Sequence, residues 1–130
     1  MPVLAIMSVS RIRLIMEVRG KGRCECEFAR HLAPLTVGSI IRALPIEGRA
    51  HRFDGLFIYM ETGLALGREK QRDEFRRGDV GFMVANGAVC IFLKDVKGMM
   101  FNPLGRVTSN IEVLEGIGAG DVLLLLPSDG

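Results

Sequence analysis

Two periodicities run along the chain. From Arg11 to Arg19 apolar and charged residues alternate, with Ile12, Leu14, Met16 and Val18 on one side and Arg11, Arg13, Glu17 and Arg19 on the other. Period two marks a half-buried strand. Gly20-Lys21-Gly22 supplies a turn, and Arg23–Phe28 alternates again, with Cys24, Cys26 and Phe28 on one face. The pair predicts a β-hairpin. At Val37, Ile40, Ile41 and Leu44 the spacing changes to i, i+3, i+4, i+7 behind Thr36, and Pro45 stops it. A short amphipathic helix capped by Thr36 follows from that pattern.

Ile46–Thr62 returns to strand chemistry, broken at Asp54-Gly55 before the apolar run Leu56-Phe57-Ile58-Tyr59-Met60. Arg68–Arg77 is dense in charge of both signs and reads as a solvated loop or short helix. Asp79–Val84 and Ala88–Leu93 flank Asn86-Gly87, a strong hairpin signal. Ser109-Asn110-Ile111-Glu112 fits a capping box for a second short helix that ends at Gly118 or Gly120. Asp121–Leu126 reads as a fully buried strand. The sum is a mainly β chain of about eight strands with two short capping helices, for which a closed barrel is the economical architecture because closure removes sheet edges.

Composition narrows this picture. The chain has 130 residues, 48% hydrophobic and 25% charged, which is the balance of one packed domain. We take residues 1–10 as an N-terminal extension and 11–130 as the domain. A net charge of +2 leaves no nucleic-acid footprint, and no apolar run reaches the ~18 residues of a membrane span. Three cysteines and no recognisable leader suit a reducing cytoplasm. Strand alternation turns Cys24 and Cys26 to the side of Phe28 as buried thiols, and without Cys-x-x-Cys or His-x-x-x-His spacing neither a metal nor any other cofactor is expected. The glycines of Gly116–Gly120 end a helix rather than begin one, so they are a cap and not a phosphate loop.

Several segments together resemble the cyclophilins, the β-barrel peptidyl-prolyl isomerases. Glu27-Phe28-Ala29 with Ala33-Pro34-Leu35-Thr36 resembles the approach to their first helix, and Ala50-His51-Arg52-Phe53 with Leu56-Phe57-Ile58 resembles their catalytic strand pair. Val84-Ala85-Asn86-Gly87, Ile91-Phe92-Leu93 and Leu104-Gly105-Arg106-Val107 follow in the same order. The chain is more similar still to a family of small, uncharacterised prokaryotic cyclophilin-like proteins, through Gly78-Asp79-Val80-Gly81-Phe82, Ala88-Val89-Cys90-Ile91-Phe92 and Gly105-Arg106-Val107.

The resemblance implies roles. Arg52 would be the catalytic guanidinium of an isomerase, donating to the prolyl nitrogen and lowering a rotation barrier of ~20 kcal/mol that arises from partial double-bond character. Phe57 and Phe92 would form the proline pocket, with Ala85 and Asn86 pairing to substrate backbone. Met60 stands where cyclophilins carry glutamine, Phe101 where they carry histidine, and the pocket tryptophan is missing, since the chain has no Trp. The pocket is therefore remodelled. The favoured reading is a module that binds a peptide or small apolar ligand through Arg52, Phe57, Met60, Ala85, Asn86, Phe92 and Phe101. A prolyl isomerase of reduced efficiency is the alternative. A non-catalytic assembly protein is the further one, with Arg68–Arg77 or residues 1–10 making the contact, the latter by adding a strand to a neighbour in a homodimer.

Overall fold

A computed structural model describes residues 10–128. The extension and the edge strand expected within it lie, apart from Ser10, outside the described residues. The strands are β1 (Arg11–Val18), β2 (Gly22–Ala29), β3 (Ile46–Arg49), β4 (His51–Phe53), β5 (Phe57–Glu61), β6 (Arg72–Phe75), β7 (Asp79–Met83), β8 (Ala88–Phe92), β9 (Val96–Ser109) and β10 (Val122–Pro127). The helices are α1 (Pro34–Ala43) and α2 (Glu112–Glu115).

Every pairing is antiparallel, and the sheet runs β3-β10-β1-β2-β9-β7-β8-β5-β4, with β6 added to β9. The hydrogen-bonded ladder does not close, because β3 and β4 sit at opposite ends of that order. The closure expected of a barrel is therefore not formed by hydrogen bonds among the described residues. The chain itself bridges the seam: β3 and β4 are consecutive, joined at Ala50, whose N–H donates to the Asp121 carbonyl at 2.7 Å. Gly48 lets β3 lie close to β5, since a Cβ there would come within 2.9 Å of the Glu61 carbonyl oxygen.

Alternation holds where the sequence predicts it. β1 and β2 form the hairpin, Leu14 opposite Cys26 and Met16 opposite Cys24, and these four side chains enter the inner core with Val18 and Phe28. Val37 and Ile40 of α1 and Leu114 of α2 join the same core. β5 and β8 are apolar on both faces for a physical reason. Ile58, Met60, Val89 and Ile91 point into the inner core, while Phe57, Cys90 and Phe92 point outward into a second cluster.

Four local expectations change, and one strand, β9, was not anticipated. The Arg68–Arg77 run is neither loop nor helix throughout, because Arg72–Phe75 is strand β6. β9 is one long strand through Gly98, Pro103 and Gly105. β10 is half-buried: Leu123 and Leu125 face inward, and Leu124 and Leu126 are partly exposed. Thr36 lies inside the first turn of α1 and does not cap it. The Ser109–Glu112 capping box does not form, for Ile111 occupies the cap position and Asn110 takes φ +64° with its amide donating to the Arg23 carbonyl.

Candidate functional site

Register decides which side chains share a face. His51 pairs with Tyr59 and Tyr59 with Cys90, while Phe53 pairs with Phe57 and Phe57 with Phe92. Arg52 pairs with Ile58, and Ile58 with Ile91. Because successive strand residues alternate, His51, Phe53, Phe57, Tyr59 and Phe92 lie on the outer face and Arg52 on the other.

The outer face is built from rings. Phe75 of β6 stacks on Phe92, with centroids 4.6 Å apart and planes 9° from parallel, and Phe101 meets Phe57, Phe75 and Phe92 edge-on at 5.5, 5.4 and 5.0 Å. Edge-to-face contact matches the positive rim of one ring to the negative face of the next. Gly81 makes room for it, since a Cβ at that position would stand 3.1 Å from Cβ of Phe101. Beside this buried cluster lies a ledge. His51 stacks on Tyr59 at 5.0 Å and Phe53 on Phe57 at 4.9 Å, and Phe53 is 39% exposed.

The residues expected to act together divide into groups. Phe57, Phe92 and Phe101 converge as anticipated from the resemblance, but they are fully buried, with Phe75 packed on Phe92 and Phe101 and Phe53 stacked on Phe57. Met60 is buried in the inner core, on the opposite side of β5. Ala85 and Asn86 are exposed in the β7–β8 turn. The Arg52 guanidinium donates to the carbonyls of Ile117 at 2.7 Å and Glu115 at 3.3 Å. Glu115 is the last residue of α2 and Ile117 lies two residues beyond it, so the guanidinium sits at the C-terminal end of the helix, where a cation is favourable. Arg52 thus ties a helix end to β4 and does not face Phe57.

Sequence reasoning missed the elements that position β6. The Glu69 carboxylate accepts from the Leu35 N–H at 2.9 Å, the Thr36 N–H at 2.8 Å and the Thr36 hydroxyl at 2.7 Å, capping α1 from a distant loop. Desolvation opposes ionisation of Glu69, yet those hydrogen bonds and the nearby charge of Lys70 outweigh it and hold the carboxyl below its ordinary value. Asn102, wholly buried in β9, accepts from the Glu69 N–H and donates to Thr36 Oγ1 and the Gly67 carbonyl. This network fixes the chain three residues before β6 begins. No local pattern announces it, because its partners are far apart in sequence.

A cleft of about 600 Å³ lies beside Phe75 and Val96. Around it stand Arg72, Arg76 and Lys97 and the carboxylates of Glu74, Asp79 and Asp95. The Arg72 guanidinium sits 5.0 Å above the Phe75 ring. The thiols take no part in either surface: burial pushes Cys90 up, and Cys26 is raised by its hydrogen bond with Cys24 and then by burial.

An antiparallel sheet wrapped around a mostly aliphatic core that also receives both helices defines a cyclophilin-like β domain. The chain belongs to the Cyclophilin-like family, whose model matches residues 10–125. Among solved structures it is similar to the hypothetical protein AF2241 from Archaeoglobus fulgidus, at 28% identity and a TM-score of 0.78, over 92% of this chain and 96% of that one. It also superposes on McbB in complex with tryptophan, at a TM-score of 0.74 and 9% identity, over 90% of this chain and 45% of that chain, a likeness of fold alone. Comparison with curated proteins gives no match. No helix among the described residues is long and apolar enough to cross a membrane.

Proposed function

We propose that this domain is a binding module whose ligand is a peptide or small molecule with an apolar ring, a proline above all, received on the ledge of His51, Phe53 and Tyr59. The observation that carries this is the half-exposed ring array built onto the face that holds Phe57 and Phe92. A rigid aromatic surface binds a preformed proline ring with little loss of conformational freedom.

The geometry favours binding over isomerisation. An isomerase needs a guanidinium beside the ring, and Arg52 lies on the opposite face, committed to the end of α2. Three free thiols suit a reducing cytoplasm as its setting.

Calorimetric titration with an Ala-Ala-Pro-Ala peptide tests the reading. Saturable heat in the wild type that falls about tenfold in affinity in Phe53→Ala is the expected result. Absence of heat at millimolar peptide, or equal affinity in Phe53→Ala, would contradict it.

A further inference from the structure

We propose that the cleft between β6, the start of β7 and the Asp95–Lys97 segment is a second binding site, for a small zwitterion carrying both an ammonium and a carboxylate around an apolar body. Free amino acids and short peptides with unblocked ends share this chemistry. The inference is independent of the ledge.

Size and shape come first. About 600 Å³ is within the usual range of small-ligand sites, and Phe75 and Val96 contribute at its base the small part of their surface that is not buried. Three cationic and three anionic side chains surround that base. Ion pairs among the described residues join Arg11 to Glu27, Arg19 to Glu47, Lys21 to Asp121 and Arg77 to Glu115, and none takes a side chain from the cleft. Even Glu74 and Lys97, cross-strand partners in the β6–β9 ladder, do not form an ion pair. The cleft therefore holds both signs of charge with no ion pair joining them.

Three of these groups are also held in place. Asp79 accepts the Arg76 N–H at 2.9 Å and Asp95 accepts the Arg77 N–H at 2.9 Å, each through one carboxylate oxygen. Arg72 is held over the Phe75 ring, a contact that fixes a guanidinium without neutralising it. Fixed charges of both signs recognise a dipolar ligand better than an ion of either sign, because each blocked end forfeits one charge-assisted hydrogen bond.

The experiment uses the full chain and four probes: the dipeptide Ala-Phe, its N-acetyl form, its C-terminal amide, and L-phenylalanine. Calorimetry should show Ala-Phe or L-phenylalanine binding at least about tenfold more tightly than either blocked dipeptide. Whichever of the two binds more tightly identifies the source as peptide ends or free amino acids. Asp95→Asn keeps the acceptor for Arg77 and removes the charge; it and Lys97→Met should each weaken the tighter probe about tenfold. Amide chemical-shift changes should fall on Arg72–Arg77 and Asp95–Lys97. Equal affinity for blocked and free forms, shifts confined to His51–Tyr59, or no heat at millimolar probe would overturn the proposal. Binding to the ledge surviving in Asp95→Asn separates failure here from failure there.

Discussion

The two cores of this domain are built on different principles. The inner one is mostly aliphatic, with Leu14, Met16, Val18, Ile58, Met60, Ile91, Leu123 and Leu125 arriving from one face of strand after strand. The outer one is aromatic: Phe75, on a four-residue strand otherwise made of charge, packs on Phe92 and Phe101, while Phe53 stacks on Phe57. The inner core is redundant, since many side chains share the burial. The outer one depends on how β6 is held. The inner core is the frame of this domain, and the outer face carries the ledge proposed to receive a ligand.

Substitutions break this contrast in order of size. Gly105→Ala attacks the frame where β2 and β9 approach, because a Cβ there would fall 1.9 Å from the Glu27 carbonyl oxygen. A loss of about 3 kcal/mol or more, read from the denaturation midpoint, is expected. Phe75→Ala strips the cover from the outer cluster and should cost about 3 kcal/mol. It should also make Cys90 react with a thiol reagent ahead of Cys24 and Cys26, since Cys90 belongs to the outer cluster and the other two to the inner core; simultaneous reaction of all three would show that the cores do not open separately.

Asn102→Ala leaves the Glu69 N–H and the Gly67 carbonyl without their partner, and about 2 kcal/mol should be lost in chemical denaturation. Glu69→Gln removes a charged helix cap, for about 1 kcal/mol. Its pH dependence has a definite sign. The folded carboxyl titrates below the ordinary value of 4.5, so its stabilisation is complete above that pH and disappears as pH falls through the lowered folded value. Acid titration of stability should therefore be steeper in the wild type than in Glu69→Gln.

The frame was legible because its signal is local. Alternation in Arg11–Val18 and Gly22–Ala29, and the Asn86-Gly87 turn, each specify an element without help from elsewhere. The site was legible only in part. Phe57, Phe92 and Phe101 could be assigned to one cluster through the family resemblance, but Arg52 went to the wrong side, because which face Phe57 shares depends on the β4–β5 register and a one-residue change of side inverts it. Phe75 hid among Arg72, Asp73, Glu74 and Arg76, whose charges read as solvent. Glu69 capped α1 from 33 residues away, beyond any local capping pattern. Gly105, by contrast, is part of the motif that carried the resemblance, and the close approach of β2 and β9 explains why no side chain stands there.

Tyr59 offers the most direct test, because it is the chain's single tyrosine and there is no tryptophan, so intrinsic emission reports the ledge alone. Titrating wild type, Arg52→Ala and Phe53→Ala with Ala-Ala-Pro-Ala should give a saturable change in Tyr59 emission in the first two and a strongly weakened one in the third. Loss of the response in Arg52→Ala with its retention in Phe53→Ala would contradict the account and return the ligand to the arginine side of the sheet.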